Sequence, residues 1–356
     1  MLEIEQKPMG RTAFVGTYTE RASEGIYTCE ITVDESVRLT RTHLTPHQEN
    51  PTFLAIHPEE AYLYAVHEIE DGAVTAYQIQ SDGSLVEQDK HRTGAAGPCY
   101  CSVHPSGEYL FVAHYPGGAV SMLPIQEPGT VCPPSEVVFH EGSGPNPERQ
   151  TQPHPHSAVV SPNGRFLYVA DLGTDQVVIY EIEPGTDSLR RTGSVETRPG
   201  AGPRHIAFHP TEPYLYLINE LDSTIITFEW NPGSGSLTRL DRISTLPPTY
   251  DGENQTSEIQ VHPSGRWVYG CNRGHDSIAS FLVQDDGSLR LQEIVPTQGE
   301  WPRYFAIDPS GELLLVENRY SDEIIPFWID EATGALTQAG SGLKLPEPAC
   351  MVFPNG

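Results

Sequence analysis

Histidine, glutamate and several arginines stand at matching positions of a frame that the sequence repeats. Each copy of the frame has a short apolar segment, a turn at a proline and a second apolar segment. The copies differ most at the residues that begin the first segment, Thr52, Cys99, His156, Arg204, Ser257 and Arg303, and at those that end the second, Glu68, Tyr115, Leu172, Glu220, Arg273 and Arg319. Guanidinium groups bind carboxylates and phosphates through paired hydrogen bonds. Histidine and glutamate are common general acids and bases, so the pattern indicates acid–base chemistry on an anionic ligand.

The spacing of the frame predicts the elements that position these residues. Its turn prolines are separated by 47, 57, 48, 53 and 46 residues, and they are Pro58, Pro105, Pro162, Pro210, Pro263 and Pro309. Each copy continues with a third apolar segment, such as VVIYEI or IITFEW, and most copies add a turn and a more polar fourth segment. Four short strands in each period of about 40 to 50 residues are typical of a β-propeller blade.

The two ends of the chain predict the number of blades. The C-terminal PACMVFPNG resembles a first segment with no second segment after it, whereas the N-terminal region has later segments without a first. We therefore predict an all-β, seven-bladed β-propeller of four-stranded antiparallel blades, formed by one domain over residues 1–356. Its ring closes when Met351–Pro354 pairs beside the strand that contains Phe14–Thr17, which leaves no free sheet edge.

Propeller geometry then brings the variable residues together. The first strand of each blade runs along the central channel, and the second returns antiparallel beside it. The start of one and the end of the other therefore meet at the same end of the channel, which we call the mouth. Two long segments, 126–153 and 246–256, each precede a first strand and are predicted to hang over the mouth.

Composition excludes several classes of partner. The chain has 48 acidic and 21 basic residues, for a net charge of −27, which argues against nucleic acid because a binder needs a basic face. No apolar run is long enough to cross a membrane, and the N-terminus does not resemble a signal peptide, so we expect a cytoplasmic protein with reduced cysteines. Acid-rich, lysine-poor chains resemble halophilic proteins. The sequence leaves the oligomeric state open between monomer and weak dimer.

Structural explanations compete with functional ones. Arginines at the mouth could simply pair with Glu220, Glu68 or Glu317 in a crowded channel. Histidines that recur at the turns are expected to be structural. His154 and His156 have the spacing of a metal pair, but no carboxylate stands near them in the sequence. We therefore predict neither a metal site nor a cofactor.

Specific motifs resemble those of the seven-bladed propeller lactonase family. They are FVGTYT, GSGPNPERQ, HPHSAVVSPNGRFLYVADLGTD, GPRHIAFHP, INELDST and NRGHDSIASF. That family includes propeller-type 6-phosphogluconolactonases and 3-carboxy-cis,cis-muconate lactonizing enzymes, and the resemblance extends over essentially the whole chain. It implies a site of one histidine, two arginines and a glutamate, which fall here on His156, Arg204, Glu220 and Arg273.

The leading hypothesis is a metal-independent lactonase that acts on an anionic sugar lactone. Arg204 and Arg273 would anchor a carboxylate or phosphate or polarise the lactone carbonyl, and His156 or Glu220 would be the base. Arg303, Glu68 and Arg319 are predicted to bind substrate as well. Two alternatives remain open, namely a lactonizing enzyme that adds a carboxylate to a conjugated acid, and a non-catalytic propeller that binds a protein or polymer.

Overall fold

Alternating apolar segments separated by turns form 30 strands in the computed structural model, which describes residues 10–34, 36–126, 129–183 and 185–354. No helix occurs in these residues. In chain order the strands are β1 (Arg11–Thr17), β2 (Gly25–Val33), β3 (Val37–Pro46), β4 (Phe53–Ile56), β5 (Tyr62–His67), β6 (Ala73–Ile79), β7 (Leu85–Arg92), β8 (Pro98–Val103), β9 (Tyr109–His114), β10 (Ala119–Gln126), β11 (Thr130–Val131), β12 (Glu136–Phe139), β13 (Pro155–Val160), β14 (Phe166–Asp171), β15 (Gln176–Glu183), β16 (Ser188–Glu196), β17 (Pro203–Phe208), β18 (Tyr214–Asn219), β19 (Thr224–Trp230), β20 (Leu237–Ser244), β21 (Gln255–Val261), β22 (Trp267–Arg273), β23 (Ser277–Val283), β24 (Leu289–Pro296), β25 (Pro302–Ile307), β26 (Leu313–Asn318), β27 (Glu323–Ile329), β28 (Leu336–Gln338), β29 (Leu343–Lys344) and β30 (Pro348–Val352).

The strands form seven antiparallel sheets, which are the blades of a propeller. Blades 1 to 6 consist of β4–β7, β8–β12, β13–β16, β17–β20, β21–β24 and β25–β29, and blade 7 joins β30 to β1–β3. The innermost strands β30, β4, β8, β13, β17, β21 and β25 contact one another in that order and return to β30, so the ring is closed. The predicted seven-bladed fold is confirmed.

Blade 7 is shared between the two ends of the chain. Val15 pairs with Met351 and Phe14 with Val352. The pairing strand is Pro348–Val352 rather than the expected Met351–Pro354, and the N-terminal region supplies the fourth strand as well as the second and third. The predicted closure therefore holds with a register slightly earlier in the chain.

Burial differs between strands because each blade packs face to face against two others. In β5, five of six residues are buried, whereas every residue of β7 is partly buried or exposed. Second strands such as β5 lie within the sandwich of blades and carry apolar residues on both faces. The fourth strands lie outermost, and this explains why their sequences are more polar.

The turn histidines connect neighbouring blades, as expected of structural residues. His57, His104, His209 and His262 each donate a hydrogen bond from Nε2 to the carbonyl of a glycine in the next blade's turn, namely Gly107, Gly164, Gly265 and Gly311. Gly107 has a φ of 78°, and a Cβ there would lie 2.4 Å from His57 Nε2. Only glycine fits this position. In blade 6 an aspartate, Asp308, replaces the histidine and pairs with Arg11 of blade 7.

The segment 126–153 is less irregular than its composition suggested. It contains β11 and β12, which pair with β10, so blade 2 has its outermost strands there. The remaining loop, 140–154, leads to β13 and reaches the mouth. None of the residues that the structure describes forms a helix with the length and hydropathy needed to cross a membrane.

Candidate active site

In five blades, the innermost strand has a β-bulge at its start. The bulge presents the predicted first-strand residue of that blade to the channel. In blade 3, Pro155 opposes Asp171 and Ser157 opposes Ala170, so that His156 is the extra residue. The same irregularity falls on Cys99, Arg204 and Arg303, and on the Ser257–Glu258 pair in blade 5. Bulges re-aim side chains and occur often beside active sites. The bulges explain how the frame's most variable positions share one mouth.

Glu220 is the centre of the cluster that these residues form. Its Oε2 accepts a hydrogen bond from Arg204 Nε at 2.9 Å and lies 2.8 Å from Arg273 Nη2. Its Oε1 accepts one from Arg149 Nη2 at 2.5 Å. His156 Nε2 lies 4.0 Å from Oε2. Three guanidinium groups therefore share one carboxylate, and the cluster has an excess of positive charge.

The three arginines differ in exposure. The Arg204 side chain is completely buried and also donates to the carbonyl oxygen of Ser257. Arg273 is 8% exposed and donates to the carbonyl oxygen of Thr256 at 2.8 Å. Arg149 is 29% exposed, and its Nη2 also donates to the Tyr115 hydroxyl at 3.0 Å. Arg149 is thus the most accessible donor at Glu220.

His156 is held in its neutral form by its surroundings. Burial lowers its pKa well below the usual 6.5, and the nearby positive charges of Arg303, Arg273 and Arg149 lower it further. Its Nδ1 lies 3.8 Å from the Cys99 sulfur. A neutral imidazole can accept a proton, so His156 is available as a base at neutral pH.

Tyr18, Glu68, Arg303 and Arg319 form a second group at the mouth. Arg303 Nη2 and Nε donate to the Tyr18 hydroxyl at 3.1 and 3.3 Å. The guanidinium carbon of Arg319 lies 3.5 Å from the centre of the Tyr18 ring. Glu68 accepts a hydrogen bond from Thr52 Oγ1 at 2.9 Å, and burial raises its pKa above 4.5. Arg319 pairs with Glu20 at 2.6 Å and not with Glu317.

Trp301 forms part of the rim beside Arg273. Its ring centre lies 5.4 Å from the Arg273 guanidinium carbon and stacks on Tyr320 at 5.1 Å. Its φ is 59°, which is uncommon for a bulky residue. Most blades have a left-handed residue before the proline of the first strand, and elsewhere it is Asn50, Gly97, Gly202 or Glu347. Trp301 thus brings a large ring to a position that favours glycine or asparagine.

Below the cluster, aromatic rings and buried acids fill the channel. Phe53 contacts Tyr100 at 4.3 Å and Tyr304 at 5.7 Å between ring centres. His205, whose ring centre is 5.2 Å from that of His156, hydrogen-bonds through Nδ1 to Glu258 Oε2 at 2.8 Å. These contacts connect the innermost strands of different blades beneath the Glu220 cluster.

Glu317, on the second strand of blade 6 opposite Tyr304, supports a stability prediction. It is 0% exposed, and neither carboxyl oxygen has a hydrogen-bond partner among the described residues. Burial raises its pKa well above the usual 4.5. As pH rises from about 4.5, the unfolded carboxyl ionises while the folded one keeps its proton, so wild-type stability falls. We expect Glu317→Gln to melt progressively higher than wild type between pH 5 and pH 8.

The control for this prediction is Glu331→Gln, which removes an exposed carboxylate from the same blade. Its melting temperature should follow that of wild type at both pH values. If the difference in melting temperature between Glu317→Gln and wild type were the same or smaller at pH 8 than at pH 5, the raised pKa of Glu317 would be contradicted.

The structure places most of the predicted residues at the mouth, and it adds some. His156, Arg204, Glu220 and Arg273 form one cluster, and Glu68, Arg303 and Arg319 form the neighbouring group. Leu172, at the equivalent position of blade 3, is fully buried and contributes backbone groups only: its N–H donates to the carbonyl of His154, and its carbonyl accepts from Gln150 Nε2. His154 stacks on Tyr115 and bonds to its carbonyl oxygen through Nδ1.

Sequence reasoning missed Arg149 and Tyr18. Arg149 lies in the loop 140–154, outside the repeated frame, although the motif GSGPNPERQ contains it. Tyr18 follows β1, where no complete frame marks its position. The available signals were the length of the loop and the motif FVGTYT. Neither signal showed which side chain would face Glu220 or Arg303.

A groove on the opposite side of the propeller is chemically less suited than the mouth. It has a volume of about 640 Å³ and is lined by Arg11, Asp308 and Phe353, among others. Arg11 is paired there with Asp308 and, at 2.7 Å, with Glu312. Its charge is therefore matched by carboxylates, whereas positive charge at the mouth exceeds negative charge. The charge and the acid–base groups favour the mouth.

Known proteins resemble the chain over almost its whole length. The profile of the family described as "Lactonase, 7-bladed beta-propeller" matches residues 12–353. The 6-phosphogluconolactonase of Bacillus subtilis (strain 168) is 38% identical over 343 residues, covering 96% of this chain and 97% of that protein. The periplasmic gluconolactonase of Pseudomonas aeruginosa superimposes with a TM-score of 0.92 and 30% identity, covering 97% of this chain and 99% of the other.

A putative 6-phosphogluconolactonase from Bacteroides fragilis superimposes with a TM-score of 0.90 at 32% identity, covering 97% of this chain and 98% of that one. Fold and site define a seven-bladed propeller with an acid–base cluster at one mouth. The chain belongs to the lactonase family of seven-bladed β-propellers.

Proposed function

We propose that the protein is a lactonase that hydrolyses an anionic sugar lactone of the 6-phosphogluconolactone type at the mouth. The observation that carries this proposal is the Glu220 carboxylate shared by three guanidinium groups, with the neutral His156 4.0 Å away. Similarity to proteins named 6-phosphogluconolactonase and gluconolactonase supports hydrolysis over the lactonizing alternative. The charged cluster favours a small anionic substrate over a protein or polymer.

In this mechanism His156 removes a proton from a water molecule while the oxygen of that water bonds to the lactone carbonyl carbon. The developing oxyanion accepts hydrogen bonds from the guanidinium groups of Arg149 and Arg273, which are the partly accessible donors at Glu220. The bond between the carbonyl carbon and the ring oxygen then breaks, and the imidazolium returns its proton to the leaving alkoxide. The product acid ionises and releases one proton. No metal takes part in these steps.

Glu220 and Arg204 have positioning roles in this proposal. The sequence assigned Arg204 to anchoring the substrate, but its side chain is completely buried. We assign it instead to holding Glu220, which in turn orients Arg149 and Arg273. A fixed set of donors stabilises a transition state better than mobile side chains, because they need no reorganisation during the reaction.

The different exposures of Arg204 and Arg149 give a prediction. Arg204→Met should destabilise the fold by about 3 to 5 kcal/mol, the usual effect of removing one partner of a buried ion pair. Arg149→Met should leave the melting temperature nearly unchanged and raise the KM for lactone or lower kcat by about 10-fold or more. Thermal melts and initial rates of both variants measure this. Equal losses of stability in the two variants would contradict the assignment.

The proposed function is tested by following acid release in a pH-stat with 6-phosphoglucono-δ-lactone and glucono-δ-lactone. Both lactones hydrolyse spontaneously, so rates are taken above the rate without enzyme. We expect acceleration that persists in chelator. Failure to accelerate either lactone would refute the proposal, and loss of activity in chelator would refute its metal independence.

A further inference from the structure

Arg303 is a cation near the base without a carboxylate in direct contact, and Glu68 is the acidic side chain whose charge acts on it. Its hydrogen bonds within the described part of the chain go to the Tyr18 hydroxyl, and none of the described carboxylates lies within 4.0 Å of its guanidinium nitrogens. The nearby Glu68 carboxyl accepts a hydrogen bond from Thr52 and also interacts with the Tyr18 hydroxyl. By contrast, Arg204 and Arg273 are both paired with Glu220.

Such a cation has a desolvation cost that an ion pair would offset. Arg303 is partly buried, and it lies close enough to His156 to be the strongest charge lowering the pKa of that ring. It sits on a protein with a net charge of −27, so nearby carboxylates are not scarce. Glu68 acts on Arg303 without a direct ion pair within 4.0 Å, so an anionic ligand in contact with the guanidinium would be the closer counter-ion.

Arg319 supplies a second guanidinium beside the same tyrosine. Arg303 binds the hydroxyl of Tyr18, while Arg319 lies over the Tyr18 ring at 3.5 Å. Arg319 pairs with Glu20, whose side chain is 58% exposed, and exposed ion pairs contribute little stability. An incoming anion can therefore replace Glu20 at low cost. Burial raises the pKa of Tyr18 to about 12, so its hydroxyl remains protonated.

We propose that Arg303, Arg319 and Tyr18 form a subsite for the phosphate group of a phosphorylated sugar lactone. Two guanidinium forks suit a phosphate monoester, which carries nearly two charges and three acceptor oxygens. The lactone ring then lies between this subsite and Glu220, with its carbonyl toward Arg149 and Arg273. Glu68 borders the subsite and does not bind the phosphate, because a carboxylate there would repel it. This inference rests on the proposed function, since it assigns the two ends of one substrate.

The test compares the two lactones in wild type and in Arg303→Met. We expect the KM for 6-phosphoglucono-δ-lactone to rise by about 10-fold or more, the scale of a lost charged hydrogen bond. The fold-loss of kcat/KM should be about 10-fold greater for 6-phosphoglucono-δ-lactone than for glucono-δ-lactone, because any effect of Arg303 on His156 is common to both lactones. Arg303→Lys should recover part of the affinity, because it restores charge but not the fork. Inorganic phosphate should inhibit wild type competitively and inhibit Arg303→Met much less.

Arg266→Met is the matched control, because it removes one positive charge from the residue just before β22, whose other end carries Arg273 at the mouth. It should leave both lactones unchanged. Equal losses on both lactones in Arg303→Met, or unchanged inhibition by phosphate, would overturn the subsite while leaving the proposed function intact. If wild type accelerates neither lactone, the proposed function itself fails. Melting curves of each variant establish that the compared proteins are folded.

Discussion

Replacing Glu220 with glutamine is expected to lower kcat for lactone hydrolysis by about 10²-fold or more. The amide keeps the shape of the side chain but cannot match the charge of Arg149, Arg204 and Arg273, which all bind this carboxylate. Those guanidinium groups then lose their fixed orientation toward the oxyanion. Removing one preorganised donor commonly costs a factor of 10² to 10³. Initial rates at saturating lactone measure the effect.

Glu317→Gln is the matched control, because it also removes a buried carboxyl but touches none of the three arginines. It should retain wild-type kcat. Glu220→Gln also leaves buried cations without their partner, so rates are expressed per folded protein from melting curves. Wild-type kcat in folded Glu220→Gln would contradict the role of Glu220.

His156→Ala is the second change expected to have a large effect, again about 10²-fold or more in kcat, because it removes the proposed base. The pH dependence of wild type gives an independent signature. The neutral imidazole is the active form, and its pKa lies well below 6.5 because of burial and nearby arginines. The kcat/KM of wild type should therefore be constant as pH falls from 8 to about 6.5, and it should decline only at more acidic pH.

The same profile in His156→Ala should lose that acidic decline. A control is His57→Gln, which changes a turn histidine that bonds to Gly107 and belongs to no part of the mouth. It should keep the wild-type profile, although its melting temperature falls. If the kcat/KM of wild type fell to half of its maximum at pH 6.5 or above, another group would be the base.

The blade architecture follows from the sequence because each blade is built from local strands at a regular spacing. Turn prolines, apolar segments and turn histidines recur in the same order, and the strands pair mostly with their neighbours in the chain. The closing strand β30 departs from this rule, yet PACMVFPNG resembles other first segments closely enough to predict its partner. The predicted range of β30 was displaced because the pattern of a five-residue strand can be aligned in several registers.

The mouth could be predicted only where side chains belong to the repeated frame. His156, Arg204, Glu220 and Arg273 stand at fixed offsets from the turn prolines, so the fold brings them together. Arg149 comes from an irregular loop, whose path depends on contacts such as that between Gln150 Nε2 and the carbonyl of Leu172. Contacts of this kind leave no periodic pattern in the sequence.

The bulges could not be predicted from the sequence pattern either, and they change which residues face the channel. Strict alternation would place Arg204 and His205 on opposite faces of β17. The bulge lets Arg204 reach Glu220 while His205 reaches Glu258. Adaptation to salt and a cytoplasmic location stay predictions. One neighbour in structure is described as periplasmic.

The most direct test of the account is a crystal structure of the protein with 6-phosphogluconate, the product of the proposed reaction. We expect the product carboxylate within about 3 Å of Arg149 and Arg273, with His156 beside it and the phosphate against Arg303. A product molecule bound in the groove of Arg11, Asp308 and Phe353, with the mouth free of it, would contradict the account.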